Sequence, residues 1–160
     1  MKQITSDQFI RLLRLLSIFM AASLLTLAFV FSVLVVMRPP ESSELWMLRY
    51  IPYFVSFISI PMSVFIFRQT IGKSKGGTLA QKLKMYRTAY IMRLALIEAP
   101  GLMAVVFFYI TTDWITLIPA FLSAFFLLGR LPSAEKIIDE LSLTGEDAEK
   151  MLRPDEIVMS

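Results

Sequence analysis

Residues 15–37 read LLSIFMAASLLTLAFVFSVLVVM and contain no Asp, Glu, Lys or Arg. A helix rises about 1.5 Å per residue, so this run is long enough to cross a hydrocarbon layer about 30 Å thick. Arg38 and two prolines follow it, and consecutive prolines lack the N–H groups that a helix needs. The run exceeds the apolar core of a signal peptide and no small-residue cleavage site follows it, so we expect a retained membrane span.

Three further segments are apolar enough to cross a membrane: 50–67, 89–110 and 114–129. The last is at the short end of the usual range. Only residues 111–113 separate the last two, so these must form a tight antiparallel hairpin. We therefore predict an all-α integral membrane four-helix bundle of two antiparallel hairpins over residues 1–130. The openings Arg14-Leu-Leu-Ser-Ile and Arg93-Leu-Ala-Leu-Ile suggest that the hairpins form a parallel repeat.

Composition narrows the possible chemistry. Hydrophobic residues make up 56% of the 160 residues, and the mean hydropathy is +0.66, both high for a soluble domain. The chain has no Cys and no His, which excludes disulfides, thiolate or imidazole metal sites and histidine-based catalysis. We accordingly expect no metal and no cofactor, and the net charge of +3 does not by itself indicate nucleic-acid binding.

The distribution of Lys and Arg predicts the orientation. Basic residues in short loops resist translocation, so loops rich in Lys and Arg stay in the cytoplasm. They precede the first apolar segment, lie between the second and third, and follow the fourth, whereas the other loops hold only Arg38 and Arg49. We expect a multi-pass protein of the bacterial inner membrane with both termini cytoplasmic.

Residues 131–160 are more polar and predict a cytoplasmic helical tail. Ser133 is placed to cap a helix over 134–141, in which Ile137, Ile138 and Leu141 share one face. Thr144 is placed to cap a second short helix that Pro154 ends. We expect these amphipathic helices to lie against the membrane or the cytoplasmic face of the bundle.

Glu98 is the candidate functional residue within the predicted spans. An ionised carboxylate inside a bilayer costs roughly 2.5–3.5 kcal/mol, so it must find a partner, water or a proton. Pro100 frees the carbonyl of Leu96 and is expected to kink the helix. Arg93 is on the same helix but about 140° away, so Arg14 is the favoured partner, with Arg68 as another. Glu98 is therefore either a protonatable functional group or a structural carboxyl group that holds the third span against a neighbouring helix.

A basic stretch before the third apolar segment is a candidate contact for lipid head groups. It contains five cations and no acidic residue: Lys73, Lys75, Lys82, Lys84 and Arg87. Each cation near an anionic membrane surface contributes about 1 kcal/mol. The alternative is that these charges only fix the topology. The glycines at 72, 76 and 77 do not follow the order of a P-loop, which argues against nucleotide binding.

Two resemblances rest on the region around Glu98. Ala95-Leu-Ile-Glu-Ala-Pro-Gly-Leu102 is similar to the ion-carrying helix of rotary-ATPase proteolipid subunits, which implies a proton-shuttling carboxylate. Span one lacks the glycines with which those subunits pack. The layout from Arg93 to Leu141 resembles a group of short bacterial inner-membrane proteins, which implies a membrane fold and no particular activity.

Three functions remain open from the sequence. The leading hypothesis is a non-enzymatic membrane protein that acts by self-association or as an accessory subunit of a membrane complex. The second is a small proton-coupled transporter or channel subunit in which Glu98 titrates. The third, a lipid-acting enzyme, rests only on Asp113, Trp114, Glu41 and Glu44, whose spacing matches no known acid/base or metal site.

Overall fold

The computed structural model describes residues 4–37, 46–73 and 76–159, and this part of the chain is almost entirely helical. Two 3₁₀ turns, Trp46–Tyr50 and Trp114–Leu117, precede the second and fourth helices. The other elements, in chain order, are β1 (Ile4–Thr5), α1 (Ser6–Met37), α2 (Ile51–Gly72), α3 (Leu79–Thr111), α4 (Ile118–Gly129), α5 (Ala134–Leu141), α6 (Glu146–Leu152) and β2 (Ile157–Met159).

The predicted helical character is confirmed, and several helices are long and apolar enough to cross a membrane. Three qualify alone: Ser6–Met37, Met47–Gly72 and Leu79–Thr111. Trp114–Gly129 passes the same test of length and apolarity only when Ala134–Leu141 is counted with it, and these two segments meet at a bend of 91°. Large apolar side chains point outward, with Phe19 72%, Phe57 79% and Phe125 71% exposed. Lipid contact suits such a surface better than water does.

The two longest helices begin well before their apolar segments. α1 starts at Ser6 rather than at residue 15, and α3 starts at Leu79 rather than at residue 89. A capping box fixes the start of α3, because the Thr78 and Gln81 side chains satisfy each other's backbone N–H groups. At about 1.5 Å per residue the 32 residues of α1 span about 48 Å. Both helices therefore extend beyond a hydrocarbon layer.

α3 is the central helix. It packs against α1, α2 and α4, while α1 packs against α3 and α4 rather than against α2. Gly101 lies at the crossing, where an added Cβ atom would lie 2.7 Å from the Leu24 Cδ2 atom and 3.0 Å from the Ser123 Cβ atom. The glycine thus allows α1 and α4 to approach α3 closely. α3 stays helical through Pro100, which is buried.

The two connections at one end of the bundle are held together by an ion pair. Asp113 accepts from Arg49 at 3.1 Å and also caps the second 3₁₀ turn through the N–H of Ile115. The Tyr53 hydroxyl donates to the Ile115 carbonyl. We call this the turn end, defined by residues 46–50 and 111–117.

Residues 131–159, the tail, fold back onto the ends of the long helices that lie opposite the turn end. We call the tail and the helix ends that it contacts the tail end. β1 and β2 pair antiparallel, and the Ser6 hydroxyl donates to the Met151 carbonyl at 2.7 Å. Ser133 caps α5 as predicted. Thr144 does not cap α6, because Gly145 with a positive φ occupies that position. Buried apolar residues of the tail join the core formed by the bundle helices: Ile137, Leu141, Leu143, Met151 and Val158.

Candidate functional site

Arg93 is the centre of a polar cluster at the tail end. It lies on α3, is only 6% exposed, and its Nη1 atom is 3.6 Å from Glu140 Oε1 of α5. Its guanidinium carbon lies 4.6 Å from the centroid of the Phe67 ring of α2, a cation–π geometry. The Nε atom is buried and has no hydrogen-bond partner among the described residues. Arg93 is therefore a buried cation with an incomplete set of partners.

Two tyrosines of α3 extend this cluster. The Tyr86 hydroxyl donates to Glu140 Oε2 at 2.8 Å. The Tyr90 hydroxyl lies 2.7 Å from the Ser17 hydroxyl of α1 and 3.3 Å from the backbone carbonyl of Arg130. The cluster thus connects α1, α3 and the tail through buried polar contacts, which are costly to leave unmade.

Two cavities flank Arg93, with volumes of about 280 Å³ and 480 Å³. Arg93, Arg130, Asp139 and Glu140 line both of them. Lys136 lines the smaller one and Arg68 the larger one, so cations outnumber carboxylates around this space.

Glu98 lies on α3 five residues after Arg93 and faces Ser23 of α1. It is half-buried, and among the described residues its hydrogen-bond partner is the Ser23 hydroxyl of α1 at 3.5 Å. That hydroxyl also lies 2.8 Å from the Met20 carbonyl, the better acceptor by distance. Since a hydroxyl has one proton, the contact with Glu98 is the weaker of the two.

The structure does not bring the predicted cationic partners to Glu98. Arg14 Nε donates to the Pro132 carbonyl at 2.7 Å, and Arg68 lines the larger cavity beside Arg93. Arg93, which was not expected to reach Glu98, pairs with Glu140. Among the described residues, the ion pairs do not include Glu98. The four residues predicted as one site are therefore divided by their contacts: Arg14 and Arg93 contact the tail, whereas Glu98 contacts Ser23 of α1 and Pro100 is buried in α3.

The predicted basic contact surface is also divided. Lys82 pairs with Asp147 of α6 at 3.3 Å, so it helps to hold the tail. Lys73 and Lys84 line a groove beside the start of α3, and Arg87 lies at the mouth of an apolar groove between α1 and α3. Lys75 lies outside the described residues. Contact of these side chains with lipid head groups stays a prediction.

The residues considered for an enzyme do not form a site. Asp113 is engaged by Arg49 and by a backbone N–H, while Glu41 and Glu44 lie outside the described residues. Across 4–37, 46–73 and 76–159, no group of three or more acidic residues is placed to hold a metal ion.

Sequence reasoning missed four members of the tail-end cluster: Tyr86, Tyr90, Arg130 and Glu140. Tyr86, Tyr90 and Arg93 follow one another at spacings of four and three, which places them on one helical face. This polar stripe on an otherwise apolar helix was the available signal. The contribution of Glu140 depends on where the tail docks: the amphipathic pattern predicted contact with the membrane or the bundle, but not which residues of α3 the tail would meet.

Comparison with known proteins found no matching family model, no matching curated sequence and no matching solved structure. The function is accordingly argued from the residues and their geometry.

Proposed function

We propose that this protein is a non-enzymatic membrane protein that acts by association within the bilayer, in the first place with a second copy of itself. The observation that carries the proposal is that Glu98 is half-buried beside α1, where its contact among the described residues is a long hydrogen bond from Ser23. A larger membrane complex that accepts this chain as an accessory subunit would use the same face.

The cost of placing the Glu98 carboxyl group in hydrocarbon favours association with another protein surface. A carboxylate in hydrocarbon costs roughly 2.5–3.5 kcal/mol on insertion scales. The Ser23 contact, at 3.5 Å, offsets little of this. A second protein surface over Glu98 would replace lipid with polar partners. Part of the insertion cost would then be recovered, and this part would favour association.

The side chains around Glu98 suit close helix packing. Ala22 and Thr26 of α1 and Ala95 and Ala99 of α3 are exposed on the neighbouring turns. Small residues let the backbones of membrane helices approach closely, where dispersion contacts and hydrogen bonds are strongest. In a twofold interface the same face serves both copies, so Glu98 would meet polar groups of its counterpart.

The proposal includes the predicted orientation. Four crossings, with Trp114–Gly129 as the fourth, would keep both termini on one side of a bacterial inner membrane. The antiparallel pairing of β1 with β2 supports a common side for the two ends of the chain. The excess of Lys and Arg in the segments of the tail end supports the cytoplasm as that side.

The test is energy transfer between donor-labelled and acceptor-labelled copies in vesicles, as the protein-to-lipid ratio is lowered. We expect transfer at dilutions where random proximity is negligible, and its loss in Leu102→Trp, which enlarges a side chain one turn from Glu98. The matched control is Leu122→Trp, since Leu122 has a similar exposure but lines a groove between α2 and α4. Wild-type protein that shows only random transfer contradicts self-association.

The alternative, proton-coupled transport through Glu98, is distinguished in the same vesicles. Proton uptake that Glu98→Gln abolishes while energy transfer is unchanged would favour the transporter. Gln keeps most of the hydrogen bonds of Glu98 but carries no titratable proton.

A further inference from the structure

Two arginines line the same partly open space at the tail end. Arg93 and Arg130 line both of the cavities described above, together with Asp139 and Glu140. We propose that this space is a binding site for the phosphate group of an anionic ligand. The proposal is independent of the association through Glu98, because the two sites share no residue.

The strongest observation is the incomplete pairing of Arg93. Arg93 is only 6% exposed, yet its Nε has no partner among the described residues, and its contact with Glu140 is 3.6 Å long. Burying a cation is costly unless it is paired and hydrogen-bonded. An anion in the adjoining cavities would compensate the charge of this guanidinium group.

The charge around the cavities favours an anion. Four cations line them: Arg68, Arg93, Arg130 and Lys136. Two carboxylates oppose these charges, and one of them, Glu140, already accepts from Tyr86 at 2.8 Å. The planar donors of arginine match the oxygens of a phosphate in bidentate geometry, which makes a phosphate group a better fit than a simple halide.

The phosphate group could come from a lipid head group or from a soluble compound, and the position of the arginines bears on the first of these. Arg130 directly follows the apolar segment 114–129, and Arg93 lies near the start of the apolar segment 89–110. This level suits the phosphate of a lipid head group. The smaller cavity, about 280 Å³, would also admit a free phosphate or a small phosphate ester.

The experiment uses the full chain in an uncharged detergent and measures the midpoint of thermal unfolding. One series adds inorganic phosphate, with sodium chloride at equal ionic strength as its control. A second series adds phosphatidylglycerol to the micelles, with diacylglycerol, which lacks the phosphate, as its control. Each series is repeated with Arg130→Gln, whose exposed side chain has no role in the core, and with Arg11→Gln, an exposed arginine of α1 that does not line the cavities.

We expect saturable stabilisation by at least one phosphate compound, with affinity reduced about tenfold in Arg130→Gln, the effect of losing one charged hydrogen-bond donor. Arg11→Gln is expected to bind as the wild type does. A response confined to phosphatidylglycerol identifies a lipid head group, and a response to inorganic phosphate as well identifies a site open to soluble ligands. The proposal is overturned if neither phosphate compound differs from its control, or if Arg130→Gln responds as the wild type does.

Discussion

Arg93 and Glu140 join two parts of the chain that the sequence separates by 47 positions. Arg93 comes from the central helix α3, and Glu140 comes from the polar tail. Glu140 contacts Arg93 and Tyr86 together, so one carboxylate satisfies two side chains of α3. At the scale of single residues, this carboxylate is the group that fastens α5 to the bundle.

Replacing Glu140 with Gln is therefore expected to loosen the tail. The substitution leaves the buried Arg93 cation without its carboxylate, at a cost of about 1–3 kcal/mol. Hydrogen exchange of the amides in α5 and α6 measures the effect, and faster exchange confined to these helices is the expected result. Glu135→Gln is the control, because Glu135 is on the same helix and exposed. Equal exchange in both variants contradicts a fastening role for Glu140.

Glu98 shows how far single residues can be interpreted from sequence. The energetic cost of a carboxyl group in an apolar segment is evident from composition alone, so Glu98 could be identified from the sequence. Its neighbours depend on the rotation and pairing of the helices, so the sequence favoured Arg14 where the structure places Ser23. Periodicity gives the face of a helix but not what that face contacts.

At the scale of elements, Gly101 sets the distance between α3 and its neighbours. Gly101→Val is expected to destabilise the protein by about 1–3 kcal/mol, the usual cost of overpacking, because the new Cβ would lie 2.7 Å from Leu24 Cδ2. The midpoint of thermal unfolding in detergent measures this cost. Gly129→Val is the matched control, since nothing lies within 4 Å of a Cβ added there. Similar midpoints for the two variants would show that α1 and α4 do not approach α3 at Gly101.

The elements themselves were predictable to different degrees. Apolar length identified α1, α2 and α3, because a membrane helix needs one continuous run of apolar residues. The starts of α1 and α3 were not identified, because apolar length marks only the membrane segment. The polar residues before each segment continue the helix, and contacts with the tail support them there. β1 and β2 have two and three residues, too few for a period of two to be recognised.

At the scale of the whole molecule, the arrangement of the ends predicts which sites are reachable from each side of a membrane. The chain has no cysteine, so single cysteines can be introduced as reporters. A membrane-impermeant maleimide added to intact cells is expected to label Ile115→Cys at the turn end. It is expected to label Glu135→Cys at the tail end only after the cells are opened. Labelling of both from the same side would show that Trp114–Gly129 does not cross the membrane.

The central claim is that the face around Glu98 meets a second copy within the bilayer, and cysteine cross-linking in native membranes tests it most directly. Ala95→Cys, which is exposed one turn from Glu98, is compared with Leu122→Cys in the groove between α2 and α4. We predict that oxidation converts Ala95→Cys to a covalent dimer, leaves Leu122→Cys monomeric, and yields less dimer when Glu98→Leu is added to Ala95→Cys. Cross-linking that is equal at the two positions, or absent at Ala95→Cys, would contradict the account.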